Sequence, residues 1–168
     1  MAIISTDIHY RLSGGAGNTD VNASLGGAKS STNVGTGLHN LFDVVSSAEA
    51  SSGDTEYRCV YVHNNHGTLT MQSAKIWIQS NTPSADTSIE IALGSSAVNG
   101  TEQTVANENT APTGVTFSAP ASEGASLSTG DIPAGQHKAV WIKRIVNASA
   151  AAYTDDSATI RVKCDTAA

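Results

Sequence analysis

EYRCVYVHNNHGTLTMQSAKIWIQS, residues 56–80, decides the fold. From Glu56 to Asn64 the side chains alternate with a period of two. Tyr57, Cys59, Tyr61 and His63 share one face, and Arg58, Val60 and Val62 share the other. Only a β-strand produces that alternation, and sizeable groups on both faces predict a central strand covered on each side. Asn64-Asn65-His66-Gly67 supplies residues that tolerate the positive φ angles of a tight connection. In the stretch 68–80 that follows, Ala74, Ile76 and Ile78 share one face, with Lys75, Trp77 and Gln79 on the other. Together these features predict a β-hairpin over 56–80.

The same period continues toward the C-terminus. SIEIALG (88–94) places Ile89, Ile91 and Leu93 inward, and a short edge strand is expected at 102–106. GVTFSAP (114–120) reads as another short strand, and ASLSTGDIPAG (125–135) as a strand entering a Pro-Gly turn. QHKAVWIKRIVNA (136–148) is the strongest strand, with Val140, Ile142 and Val146 on the core side. In SATIRVKCD (157–165), Ala158, Ile160, Val162 and Cys164 point inward. Helix signals are confined to HNLFDVVSSAEA (39–50), enough for a turn or two, although Val44-Val45 suits a strand equally. Seven to ten short strands at intervals of roughly 8–12 residues predict an all-β protein. The expected architecture is an antiparallel β-sandwich, jelly-roll or immunoglobulin-like, over residues 41–168.

Residues 1–40 read differently. Of residues 11–37, 17 of 27 are Gly, Ser, Thr or Asn. A segment of that composition buries too little apolar area to offset an ordering cost of roughly 1–2 kcal/mol per residue. It therefore needs something outside itself to hold it. Leu12, Val21, Leu25, Val34 and Leu38 are spaced as anchors, which predicts an extended N-terminal arm laid on neighbouring subunits. Two alternatives stay open: the segment wraps its own sandwich as an Ω-type loop, and Ile3, Ile4 and Ile8 open a first strand.

Charged residues make up 14% of the chain, against roughly 25% in soluble domains, so the surface is built from Ser, Thr, Asn, Gln, Gly and Ala. Such a surface suits packing against repeated neighbours. A formal net charge of −6 argues against nucleic-acid binding. Residues 1–137 carry 4 basic and 12 acidic side chains, and residues 138–168 carry 5 and 3. MAIISTDIHYRL lacks the basic start and apolar run of an export signal, and no apolar stretch approaches the ~20 residues of a membrane span. Synthesis in the cytoplasm without membrane contact is expected. Cys59 and Cys164 both fall in strands and read as free core thiols.

Little in the sequence converges on catalysis. His63 and His66 have a spacing seen in metal sites but flank a turn, with no Cys or carboxylate close by. Asp155-Asp156 lacks the alternating oxygen ligands of a calcium loop. No Gly-x-Ser-x-Gly elbow occurs, and GGAG and LGGA do not lie between a strand and a helix as phosphate loops do. Trp77 and Trp141 stand beside Lys75 and Lys143 and offer themselves as sugar-stacking platforms, or as core and interface packing. An enzyme would need a cleft holding two or more of His9, His63, His66, His137, Asp155 and Asp156. The expectation is a non-enzymatic protein with no catalytic residue, metal or cofactor.

Three runs carry a resemblance: DIHYRLSGGAGNTDVNASLGGAKSS, LFDVVSSAEASSGDTEYRCVYVHNNHGTLTMQSAKIWI and IPAGQHKAVWIKRIVNA. The chain resembles small virion proteins of tailed bacteriophages, most of all head decoration (cement) proteins. That likeness implies a β-sandwich or β-tulip on the outer capsid lattice. Its implied partners are the major capsid protein, other virion proteins and further copies of itself. A tail or baseplate component, or a carbohydrate-binding module on the particle surface, stays open as an alternative.

Overall fold

The computed structural model of the protein describes residues 2–166. It is mostly β, with antiparallel sheets packed face to face and one short helix. The first sheet has the order β1 (Ile8–Leu12), β3 (Asp54–Asn64), β8 (His137–Val146), β5 (Thr87–Leu93). The second has the order β7 (Leu127–Ile132), β4 (Met71–Ser80), β9 (Thr159–Asp165). Between them in sequence lie a two-stranded ladder of β2 (Gly26–Gly27) and β6 (Glu102–Thr104), and α1 (Ser47–Ser52). The β2–β6 ladder aside, each strand from β3 to β9 lies in the opposite sheet from the one before it.

This alternation overturns the expected hairpin. β3 and β4 lie in different sheets, and β3 pairs instead with β1 and β8. The cause is in the connection. The Asn64 amide donates to the carbonyls of Leu69 (2.8 Å) and Ile132 (2.9 Å) and accepts from the His66 N–H (3.0 Å). His66 Nδ1 accepts from the N–H groups of Thr68 and Leu69. These bonds carry the chain around a corner from one sheet to the other, where a two-residue turn would have reversed it. Val60 and Val62 consequently join Ile76 and Ile78 in the core between the sheets. Met71, Ile89, Ile91, Ile132, Val140 and Ile142 complete that core. Ala158, Ile160, Val162 and Cys164 of the last strand pack on it, as their alternation predicts.

β3 is buried on both faces, again as its sequence predicts. The outer face of the first sheet carries a second apolar cluster of Cys59, Tyr61, Ala92, Val105, Ala139 and Trp141. Residues 13–33 and 94–117 cover it, with Leu25, Val115 and Phe117 packing down. The expected strand at 114–120 is absent. Ser118 exchanges backbone hydrogen bonds with Ile91, and Ile78 donates to the Pro120 carbonyl at 2.8 Å. Residues 118–120 thus link β5, at the edge of the first sheet, to β4, the central strand of the second.

The extended arm also needs correction, because residues 13–35 fold onto their own domain. β1 lies in the first sheet, with Leu12 opposite Val60, and Ser30, Thr32 and Val34 return alongside β1 through backbone hydrogen bonds. Cys59 donates to the Ser24 carbonyl (2.8 Å), Val105 to that of Leu25 (2.9 Å), and the Tyr61 hydroxyl to that of Gly27. A boundary at residue 40 therefore separates no independent parts. The small polar residues do this work themselves. Ser13, Ser24 and Ser30 are fully buried, and Asn18, Ser13 and Ser30 bond one another and nearby backbone. Gly26, at φ +96°, lies so close to β6 that a Cβ there would meet the Gln103 carbonyl oxygen at 1.8 Å.

The helix begins later than expected. Ser46 caps it, accepting from the Glu49 N–H while the Glu49 carboxylate accepts from the Ser46 N–H, so the turn starts at Ser47. Residues 39–45 are irregular.

Candidate interaction surface

At the end of the sandwich where β3 begins and β8 finishes, the sheets part and leave an open groove of about 970 Å³. Residues 37–51 form one wall and residues 149–160 another. The buried side chains of Ile89, Ile142 and Val146 lie at its base. Among the described residues, four large apolar side chains are strongly exposed: Ile4, Leu38, Val44 and Tyr153. Three of them, Leu38 (54%), Val44 (61%) and Tyr153 (55%), line this groove. Exposed apolar side chains scattered singly are ordinary on a protein surface; a group gathered around one groove makes this the candidate interaction surface.

Both walls are fixed in place. Phe42 lies between two guanidinium groups, 5.5 Å from Arg58 and 5.0 Å from Arg144. Arg144 is ion-paired with the buried Glu56 and donates to the Asp43 carbonyl at 2.6 Å. Burial pushes the Glu56 carboxyl up, against the pull of Arg144. Arg58, fully buried, reaches around the sheet edge to Glu108 and to Asn22 at 3.1 Å. On the other wall, Asp156 accepts from the Ser84 N–H (3.1 Å) and the Thr87 hydroxyl, tying residues 149–158 to the start of β5. Leu38 and Val44 are thus held outward by ion pairs and aromatic contact beneath them.

The five anticipated contact residues fall in three places. Leu12 and Val34 pack inside the domain, and Leu25 packs on the second cluster. Val21 is half-buried in a 3-10 turn (Val21–Ala23). Leu38 alone is strongly exposed, and it stands in the groove. Sequence reasoning missed Val44 and Tyr153, although Val44 lies within the Leu-Phe-Asp-Val-Val run whose apolar residues exceed what one short turn can bury.

Neither tryptophan presents a stacking face. Trp141 is fully buried and Trp77 is 7% exposed, which removes both as sugar platforms. The covering layer explains Trp141: its indole N–H donates to Glu102 Oε1 at 3.3 Å, beneath β6. Burial disfavours the charged Glu102 carboxylate, but hydrogen bonds from Ser96, Ser95 and Trp141 outweigh this and hold it down at about 2. The stability it supplies is present above the ordinary carboxylate range and is lost as pH falls toward about 2. Of the titratable residues named for a cleft, His9, His63 and His137 do come together, in neighbouring strands. His66 is engaged by the backbone of its turn and Asp156 lies at the groove. Among the described residues no three His, Cys, Asp or Glu side chains are grouped to hold a metal ion. No described helix is long and apolar enough to cross a membrane. Comparison with protein-family models, with curated proteins and with solved structures returns no match for this chain.

Proposed function

We propose that the protein is a non-enzymatic structural component of a tailed-phage virion, a head decoration protein that seats on the capsid lattice through the groove between its sheets. The observation that carries this reading is the gathering of Leu38, Val44 and Tyr153 around one open apolar groove whose walls are pinned from below. Fully burying such side chains stabilises by roughly 1.5–3 kcal/mol each before association costs, enough for three anchors to hold a lattice contact. The sparsely charged surface and the sequence likeness to phage virion proteins support the same reading, with the major capsid protein or further copies of this chain as partner. The crossing of successive strands between sheets favours the jelly-roll type of sandwich over the immunoglobulin type.

A protein that binds the assembled lattice and not its free subunits shifts the equilibrium toward assembly. Heads lacking it should release DNA at a lower temperature than decorated heads, and adding back the purified protein should restore the difference. Identical release temperatures for bare and decorated heads would contradict the cement role.

A further inference from the structure

Three histidines stand in a row across the first sheet, at the end away from the groove, whose nearest lining residue on β8, Ile142, is about 17 Å along the strand from His137. His9, His63 and His137 are register partners on β1, β3 and β8, with ring centroids 6.3 and 6.5 Å apart. Arg11 follows on the same face of β1, and Lys29 belongs to the covering loop. Elsewhere Arg58, Lys143, Arg144 and Lys163 each meet a carboxylate, while Lys138 bonds the carbonyls of Gly94 and Ser96. The corner cations bond only to backbone: Arg11 to the Ser31 carbonyl and Lys29, at 3.4 Å, to that of Ser30. His9 Nε2 has only the Thr6 carbonyl. Meanwhile Arg11 Nε and Nδ1 of all three histidines are buried without a hydrogen-bond partner, and His63 as a whole is 8% exposed. The other titratable groups on this face are Tyr61, edge-on to His137 at 4.8 Å, Cys59 beside it and Glu102 from β6, with Tyr57, Glu90 and Lys143 farther along the strands. The Glu102 carboxylate is taken up by Ser95, Ser96 and Trp141.

Two partly buried cations without a carboxylate, beside imidazole nitrogens that become donors on protonation, form a corner suited to an anionic counterpart in a chain of net charge −6. We propose that Arg11, Lys29, His63 and His137 form a binding site for a tetrahedral oxyanion, a phosphate or sulfate group. A guanidinium, an ammonium and two imidazole rings offer donors from several directions to an acceptor with four oxygens. The titration of this corner agrees with the proposal. Burial, then Lys29 and Arg11, hold His63 down at about 4, and burial followed by Lys29 lowers His137. A bound dianion reverses the sign of the local field, so the imidazoles take up protons on binding and affinity rises as pH falls.

The test uses the whole protein, imidazole NMR and sodium sulfate at constant ionic strength against sodium chloride. Sulfate keeps its charge across the range, so any pH dependence belongs to the protein. Saturable shifts of the His63 and His137 rings are expected, with His63 titrating at least about one pH unit higher in sulfate. Binding should tighten as the pH is lowered from 7.5 to 5.5, because the bound state takes up protons that the free state holds only at lower pH. Lys29→Gln, at a half-exposed position, should weaken binding about tenfold with an unchanged amide spectrum, and Lys29→Arg should retain it. Shifts that chloride reproduces, that do not saturate, or that Lys29→Gln leaves intact would overturn the site.

Discussion

Deleting residues 1–35 is expected to abolish cooperative unfolding, leaving a chain without a folded β domain. The loss begins with β1, which pairs with β3 from Ile8–Asn64 to Leu12–Val60; without it the buried Val60–Asn64 end of β3 is left with a bare edge. Removal of the covering loop then exposes Cys59, Tyr61 and Trp141, each at most 1% exposed in the intact protein. It also removes the carbonyl acceptors of the Cys59 N–H and of the Tyr61 hydroxyl, which keeps only the Glu102 N–H. Each buried polar group left unpaired costs about 1–3 kcal/mol, and the uncovered apolar surface adds several more. Folded domains are stable by only about 5–15 kcal/mol in total, so the sum is enough to unfold this one. Near-ultraviolet circular dichroism and calorimetry of the deleted protein provide the check. A cooperative transition within a few degrees of wild type would show that the loop is an appendage.

Trp141→Ala is the single substitution expected to do the most damage. The indole is fully buried between the first sheet and its covering layer, and truncation of such a side chain costs about 3–5 kcal/mol. Its N–H is also one of the donors that keep Glu102 ionised under β6. For a chain of this size that cost lowers the melting temperature by about 10 °C. Trp141→Phe should recover most of the packing but not the donor, and fall between the two. A melting temperature for Trp141→Ala within 2–3 °C of wild type, about 1 kcal/mol, would mean the covering layer contributes little to stability.

Strands were legible wherever side chains alternate. β5, β7, β8 and β9 lie where their period places them, because burying one face of a sheet leaves its mark on every second residue. Pairing was less legible. Asn64 and His66 look like turn residues in sequence, and only their bonds to Leu69, Ile132 and Thr68 show that the turn passes from one sheet to the other. The covering loop was the hardest to read, since its cohesion comes from backbone groups, buried serines and glycines at close approach. None of these produces a hydrophobic period. Its entropic cost pointed to a neighbouring subunit as support, whereas the support is the outer face of the chain's own first sheet, the Ω-type alternative. The same absence of a period left Trp141 open between a stacking platform and core or interface packing, and it is packed under the covering layer. Leu38 entered the groove by spacing, while Tyr153, in an Ala-rich link, had no pattern around it to mark it.

Docking through the groove is tested most directly by binding of the purified protein to phage heads assembled without it. Leu38→Asp combined with Val44→Asp places two charges where apolar contact is expected, at positions too exposed to support the core. Wild-type protein should co-sediment with the heads saturably, and the double variant, with an unchanged melting temperature, should bind at least about tenfold more weakly. Equal binding by the variant and the wild type, or no saturable binding by either, would contradict assembly through this surface.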